Sequence, residues 1–121
     1  IALLLGECLT MGVKAGVDPK ILREVVEASS GASFVWSSAT RAILRDRLAP
    51  SFTSALACKD IGLAVDLADE FEVPVPMGRH TQQLLETYRD NGFADEDILA
   101  TVRALEDEAS FVVRGLAPDI Q

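Results

Sequence analysis

Apolar residues recur at spacings of three and four along nearly the whole chain, the repeat of an amphipathic α-helix. Ile1, Leu4, Leu5, Cys8, Leu9 and Val13 keep that spacing from the first residue, which predicts a helix to about Ala15 closed by Gly16, a residue suited to a left-handed C-terminal position. No capping residue precedes Ile1, so the chain is expected to have been cut from a longer one. Asp18-Pro19 supplies an N-cap and a first-turn proline for a second helix, with Ile21, Leu22, Val25 and Val26 on one face and a stop near Ser29-Ser30-Gly31. A third helix is expected from Phe34 to Arg45, with Trp36, Ala39, Ile43 and Leu44 apolar, before a proline-broken loop from Leu48 to Phe52.

Thr53 or Ser54 caps a fourth helix that runs through Lys59 to about Phe71, with Leu56, Ile61, Val65, Leu67 or Ala68, and Phe71 expected inward. Val73-Pro74-Val75-Pro76 is an extended connector. A fifth helix starts near Met77, uses Leu84, Leu85 and Tyr88, and ends at Asn91-Gly92. Asp95, Glu96 and Asp97 open a sixth, complementing its dipole, with Ile98, Leu99, Val102 and Leu105 buried. The tail from about Ser110 carries Phe111, Val112, Val113 and Leu116, breaks at Pro118, and is expected to cross onto another subunit or to be disordered. No segment alternates with period two long enough for a strand. The fold class is therefore all-α, a single domain of about six helices.

Composition narrows the function classes. A chain of 121 residues, nearly half of them apolar, buries a core of its own. A net charge of -8 disfavours nucleic acid and anionic membrane surfaces, both of which attract lysine and arginine. The apolar run Ile1 to Leu5 is too short to span a bilayer, and an acidic soluble chain of this kind is expected in the cytoplasm. Cys8 and Cys58 are far apart and in no metal-ligand spacing; they read as small buried residues. His80, the single histidine, has no Cys, His or carboxylate at ligand spacing, so no metal site is expected. Ser29, Ser30 and Ser33 read as helix caps as readily as substrate contacts, Trp36 as core or interface, and Lys14 as a cation near a helix C-terminus.

One segment remains as a carrier of chemistry: Lys59-Asp60-Ile61-Gly62-Leu63-Ala64-Val65-Asp66. On a helix, Lys59, Gly62 or Leu63, and Asp66 share a face, and Asp60 points about a quarter turn away, where it can orient a neighbouring group. Gly62 costs about 1 kcal/mol against alanine inside a helix, so it reads as a point where another helix or a ligand approaches the backbone. By spacing alone, Lys59 and Asp66 read as a solvated helix face before they read as a site.

The segment resembles the Lys-Asp-Leu-x-x-Ala signature of the β-hydroxyacid dehydrogenases, the 3-hydroxyisobutyrate dehydrogenase family. The flanks resemble it in the same order: Ala-Gly-Val-Asp-Pro at 15–19, a serine-rich stretch at 29–33, Pro50-Ser51-Phe52, Glu72-Val73-Pro74-Val75-Pro76, and Asp95-Glu96-Asp97. The resemblance covers about residues 1–107. It implies the helical C-terminal domain of a 6-phosphogluconate-dehydrogenase-like enzyme, over residues 1–121, that oxidises a small hydroxy acid with NAD or NADP. The cofactor would be held mainly by a Rossmann domain, whose glycine-rich loop has no counterpart in this sequence. It further implies that Lys59 borders the nicotinamide end of the cofactor, that Phe52 lies near the substrate, and that Asp60 supports the site. The family's acid/base lysine is expected upstream of Ile1, which leaves no catalytic residue within this chain and an inactive fragment. A homodimer or higher homo-oligomer through the helical domain is expected. The competing expectation is a non-catalytic helical dimerisation module. A DNA-binding helix over Asp18 to Ser30 fails because Glu24 and Glu27 offset Lys20 and Arg23.

Overall fold

In the computed structural model, which describes residues 1–120, the regular elements are helices. They are α1 (Ala2–Lys14), α2 (Pro19–Glu27), α3 (Phe34–Leu44), α4 (Ser54–Glu70), α5 (Pro76–Tyr88) and α6 (Val102–Ala109), with a π-type turn at Arg89–Phe93 and a 3-10 turn at Ile98–Thr101. The all-α expectation holds, and so do the local signals behind it. The Asp18 carboxylate accepts from the amides of Lys20 and Ile21, Ser33 Oγ from Trp36 N, and Thr53 Oγ1 from Leu56 N, so α2, α3 and α4 each begin on a side-chain cap. Gly16 and Gly92 take φ of +98° and +97°, the left-handed conformation that ends the helical segments before them.

The chain forms two compact units, one of Ile1–Leu48 with the described residues from Leu99 on, the other of Ala49–Ile98. In the first, α1 packs against α2, α3 and α6. Its core gathers Leu5, Leu9 and Val13 of α1, Trp36, Ala39, Ile43 and Leu44 of α3, and Val102 of α6. Trp36 is therefore core, and its indole N–H donates to the Arg23 carbonyl at 3.3 Å. Of the apolar face expected on α2, Leu22 and Val26 pack inward while Ile21 and Val25 are exposed; adjacent residues stand about 100° apart on a helix, and the core reaches only one flank. Ile1, Leu4 and Met11 likewise stay exposed on the outer side of α1.

The tail departs from expectation. Val113, Ala117 and Ile120 are buried in the core of the first unit, with Phe111 packed against it. Ser110 turns the chain left-handed at the end of α6, and the amides of Gly115 and Ala117 bond to the carbonyls of Ile43 and Leu44. Glu106 fixes the turn: its carboxylate, 2 % exposed, accepts from the amides of Val113 and Arg114, both at 2.8 Å, and from the Arg114 guanidinium. The tail thus folds onto its own unit because its apolar residues have a core to enter and its backbone has partners there. Lys14 also finds a role here, its ammonium donating to the Ala109 carbonyl at the C-terminal end of α6.

In the second unit α4 packs along α5 and the π-type turn. The inward side of α4 is Ser54, Ala57, Cys58, Val65 and Ala68, with Ile61 half-buried, whereas Leu56, Leu67 and Phe71 are exposed. The difference is one of size: small side chains face α5, whose Leu85 and Tyr88 supply the bulk. Gly62 is not a point of forced close approach. A Cβ there would meet only Gln82 Nε2 at 3.8 Å, an ordinary contact, whereas one at Gly12 would fall 2.7 Å from Leu22 Cδ2, where α1 and α2 meet. The acidic run at 95–97 precedes a 3-10 turn, Ile98–Thr101, which leads directly into α6.

Candidate functional site

The three sequence-derived site residues lie at the N-terminal half of α4. Phe52 immediately precedes its Thr53 cap, and Lys59 and Asp60 sit one and a half turns into the helix, about 8 Å along its axis. Lys59 Nζ and Asp60 Oδ1 stand 3.1 Å apart, with side chains 60 % and 51 % exposed. The side chain nearest the Asp60 carboxylate is thus that of Lys59. An exposed pair of this kind adds little to stability, so its exposed cation is available to a ligand at almost no cost to the fold. Leu56 and Leu63, one turn to either side of Lys59, are also exposed, which sets the ammonium between apolar side chains.

Phe52 is not hydrogen-bonded to that pair; its partner is Asp97. Asp97 Oδ2 accepts from Ser51 N at 2.8 Å, Ser51 Oγ at 2.9 Å and Phe52 N at 3.2 Å. Ile98 N donates to the Phe52 carbonyl at 2.9 Å, and Thr53 and Asp97 form an isolated antiparallel bridge. The first free amides of α4 are closed by the same loop, Ser54 N bonding to the Glu96 carbonyl and Ala55 N to that of Ala94. From sequence, Asp97 reads as a helix-dipole residue. Its Oδ2 also binds partners 45 and 46 residues away, a separation that leaves no local signature.

The other candidates resolve into structure. Ser33 caps α3, and Ser29 Oγ donates to the Val26 carbonyl and accepts from Gly31 N. Cys58 is buried and burial pushes its thiol pKa up, which keeps it protonated and a poor nucleophile; Cys8 is half-buried and both are free. His80 is exposed on α5, and no group of three metal-ligating side chains occurs among the described residues. No helix among the described residues is long and apolar enough to cross a membrane.

A family profile described as NAD-binding of NADP-dependent 3-hydroxyisobutyrate dehydrogenase matches residues 1–105. Over 112 residues the chain is 33% identical to 2-(hydroxymethyl)glutarate dehydrogenase of Eubacterium barkeri, covering 92% of this chain and 37% of that protein. It is 29% identical over 114 residues to the mitochondrial 3-hydroxyisobutyrate dehydrogenase of Rattus norvegicus, covering 87% of this chain and 33% of that one. The chain thus spans little more than a third of the length of these relatives. Among solved structures, 3-hydroxyisobutyrate dehydrogenase from Salmonella typhimurium superposes with a TM-score of 0.77 at 19% identity, over 85% of this chain and 36% of that one. The Mycobacterium tuberculosis 3-hydroxyisobutyrate dehydrogenase with L-serine also gives 0.77, at 22% identity, over 86% of this chain and 38% of that one. At such identities the structures establish the shared helical fold, and the profile match establishes the lineage: the chain belongs to the NAD-binding 3-hydroxyisobutyrate dehydrogenase family.

Proposed function

We propose that residues 1–121 are the helical substrate and dimerisation domain of an NAD(P)-dependent oxidoreductase that oxidises a small β-hydroxy acid of the 3-hydroxyisobutyrate type, or reduces the matching semialdehyde. The observation that carries the reading is the exposed Lys59 ammonium, paired with Asp60 and flanked by exposed Leu56 and Leu63, inside the matched region. This arrangement suits a flat ring with oxygen-bearing substituents: the leucines offer apolar contact, and the ammonium offers three donors. Asp60 draws the ammonium to one side and fixes its direction. Phe52 supplies an apolar wall that keeps water from the substrate carbon. When bound, the nicotinamide cofactor supplies the hydride acceptor, and it is held mainly by a Rossmann domain outside this chain. The proton falls to the family lysine expected upstream of Ile1, so no catalytic residue is assigned here and this segment by itself is inactive. A cytoplasmic location, read from composition, belongs to the same proposal.

Initial rates of NAD and NADP reduction by the full-length protein test this reading, with 3-hydroxyisobutyrate, 3-hydroxypropionate and 2-(hydroxymethyl)glutarate as substrates. Turnover of at least about 1 s⁻¹ with one of them is expected. No turnover with any of them, and none with the matching semialdehydes in the reverse direction, would contradict it and favour the non-catalytic dimerisation module. Association through the helical domain, which the family resemblance implies, is expected in either case. Light scattering should give the mass of a homodimer or higher homo-oligomer, and a monomer at high micromolar concentration would count against the interface.

A further inference from the structure

We infer that Asp97 is a positioning residue for substrate binding: by drawing the Ser51 amide, the Ser51 hydroxyl and the Phe52 amide onto one carboxylate oxygen, it fixes where the Phe52 ring stands. The inference rests on the proposed role of Phe52 as a substrate-facing wall. Both backbone polar groups of Phe52 are bound to the same short segment, the N–H to Asp97 and the C=O to the Ile98 amide. The residue after it is locked as well, through the Thr53–Asp97 bridge and the Thr53 cap on α4. With its backbone held on both sides, the half-buried ring keeps only its two side-chain torsions.

The choice of group argues for position over stability. Asp97 is 3 % exposed, and burying a carboxylate carries a desolvation penalty that an apolar contact of similar size avoids. What a carboxylate adds is direction. Charge-assisted bonds to backbone amides are short, strong and set by geometry, and a small displacement of a group that contacts substrate is felt as a large loss of rate or affinity. The loop needs such a device because Ala49, Pro50 and Ser51 are exposed, leaving its approach to Phe52 without a packed core of its own.

The test is a double-mutant cycle on the full-length enzyme, with Asp97→Asn and Phe52→Leu made singly and together. Folding is checked by circular dichroism at the assay temperature. Asp97→Asn is expected to raise KM for the hydroxy acid about tenfold while leaving KM for the cofactor and kcat within about twofold. In the Phe52→Leu background the same change should raise KM by less than about twofold, since the ring it positions is gone. If Phe52→Leu raises KM but Asp97→Asn does not, or if the two effects multiply, the Asp97 inference is overturned and the role of Phe52 stands. If Phe52→Leu leaves KM unchanged, Phe52 is not at the substrate and both readings fall. Should Asp97→Asn not fold, Ser51→Ala removes one of the three donors and keeps the carboxylate; a severalfold rise in KM is expected there, and wild-type KM overturns the inference.

Discussion

Glu106→Ala is expected to remove about 3 kcal/mol of folding stability from the full-length protein. The carboxylate is almost fully buried and collects three donors, two of them the backbone amides of Val113 and Arg114. Alanine would strand those amides at the point where the chain turns back after α6, and would leave Arg114 with only its longer contact to Asp46, at 3.3 Å. The loss lies toward the lower end for broken buried pairs because the Arg114 side chain is still 23 % exposed and regains some water. Glu106→Gln should cost less, since an amide oxygen can accept from both backbone groups while its NH2 opposes the guanidinium. Urea unfolding reads the difference as a drop in midpoint without a change in slope. A wild-type midpoint in Glu106→Ala would show that burial of Val113, Ala117 and Ile120 holds the tail unaided.

Lys59→Ala carries the largest expected functional effect. The side chain is exposed and its ion pair with Asp60 is exposed too, so the substitution should leave thermal unfolding within about 0.5 kcal/mol of wild type. The same change removes the ammonium that the proposed site presents between Leu56 and Leu63. Loss of one preorganised charged donor from a reacting centre costs about 10²–10³ in turnover, and that is the expected fall in kcat. Lys59→Arg keeps the charge but spreads it over a longer planar fork, so partial recovery is expected. The separation of activity from stability is the informative feature. A residue that served only as solvated surface would move neither quantity.

The legibility of this chain followed the range of each interaction. Asp18-Pro19, Ser33 and Thr53 announced their helices because a cap and the amides it binds lie within three residues of each other. The Lys59–Asp60 ion pair is legible for the same reason, its partners being adjacent on one helix. The inward side of α4 was not legible, since the larger residues Leu56, Leu67 and Phe71 suggested a face that the close packing of α4 on α5 gives instead to Ala57, Cys58 and Ala68. Asp97 stands in an acidic run that reads locally as a helix opening; only folding reveals that it also binds Ser51 and Phe52. The fold of the tail is not legible locally, because Pro118 ends any helix, while the burial of Val113 and Ala117 depends on the α3 core reached through Ile43 and Leu44.

The most direct measurement is a single-turnover assay of hydride transfer, with full-length wild type and Lys59→Ala compared at saturating cofactor and hydroxy acid. Reduced nicotinamide is expected to form about 10²–10³ times more slowly in the folded variant. Equal rates in the two proteins would contradict it, taking Lys59 and the face of α4 that bears it out of the reacting site.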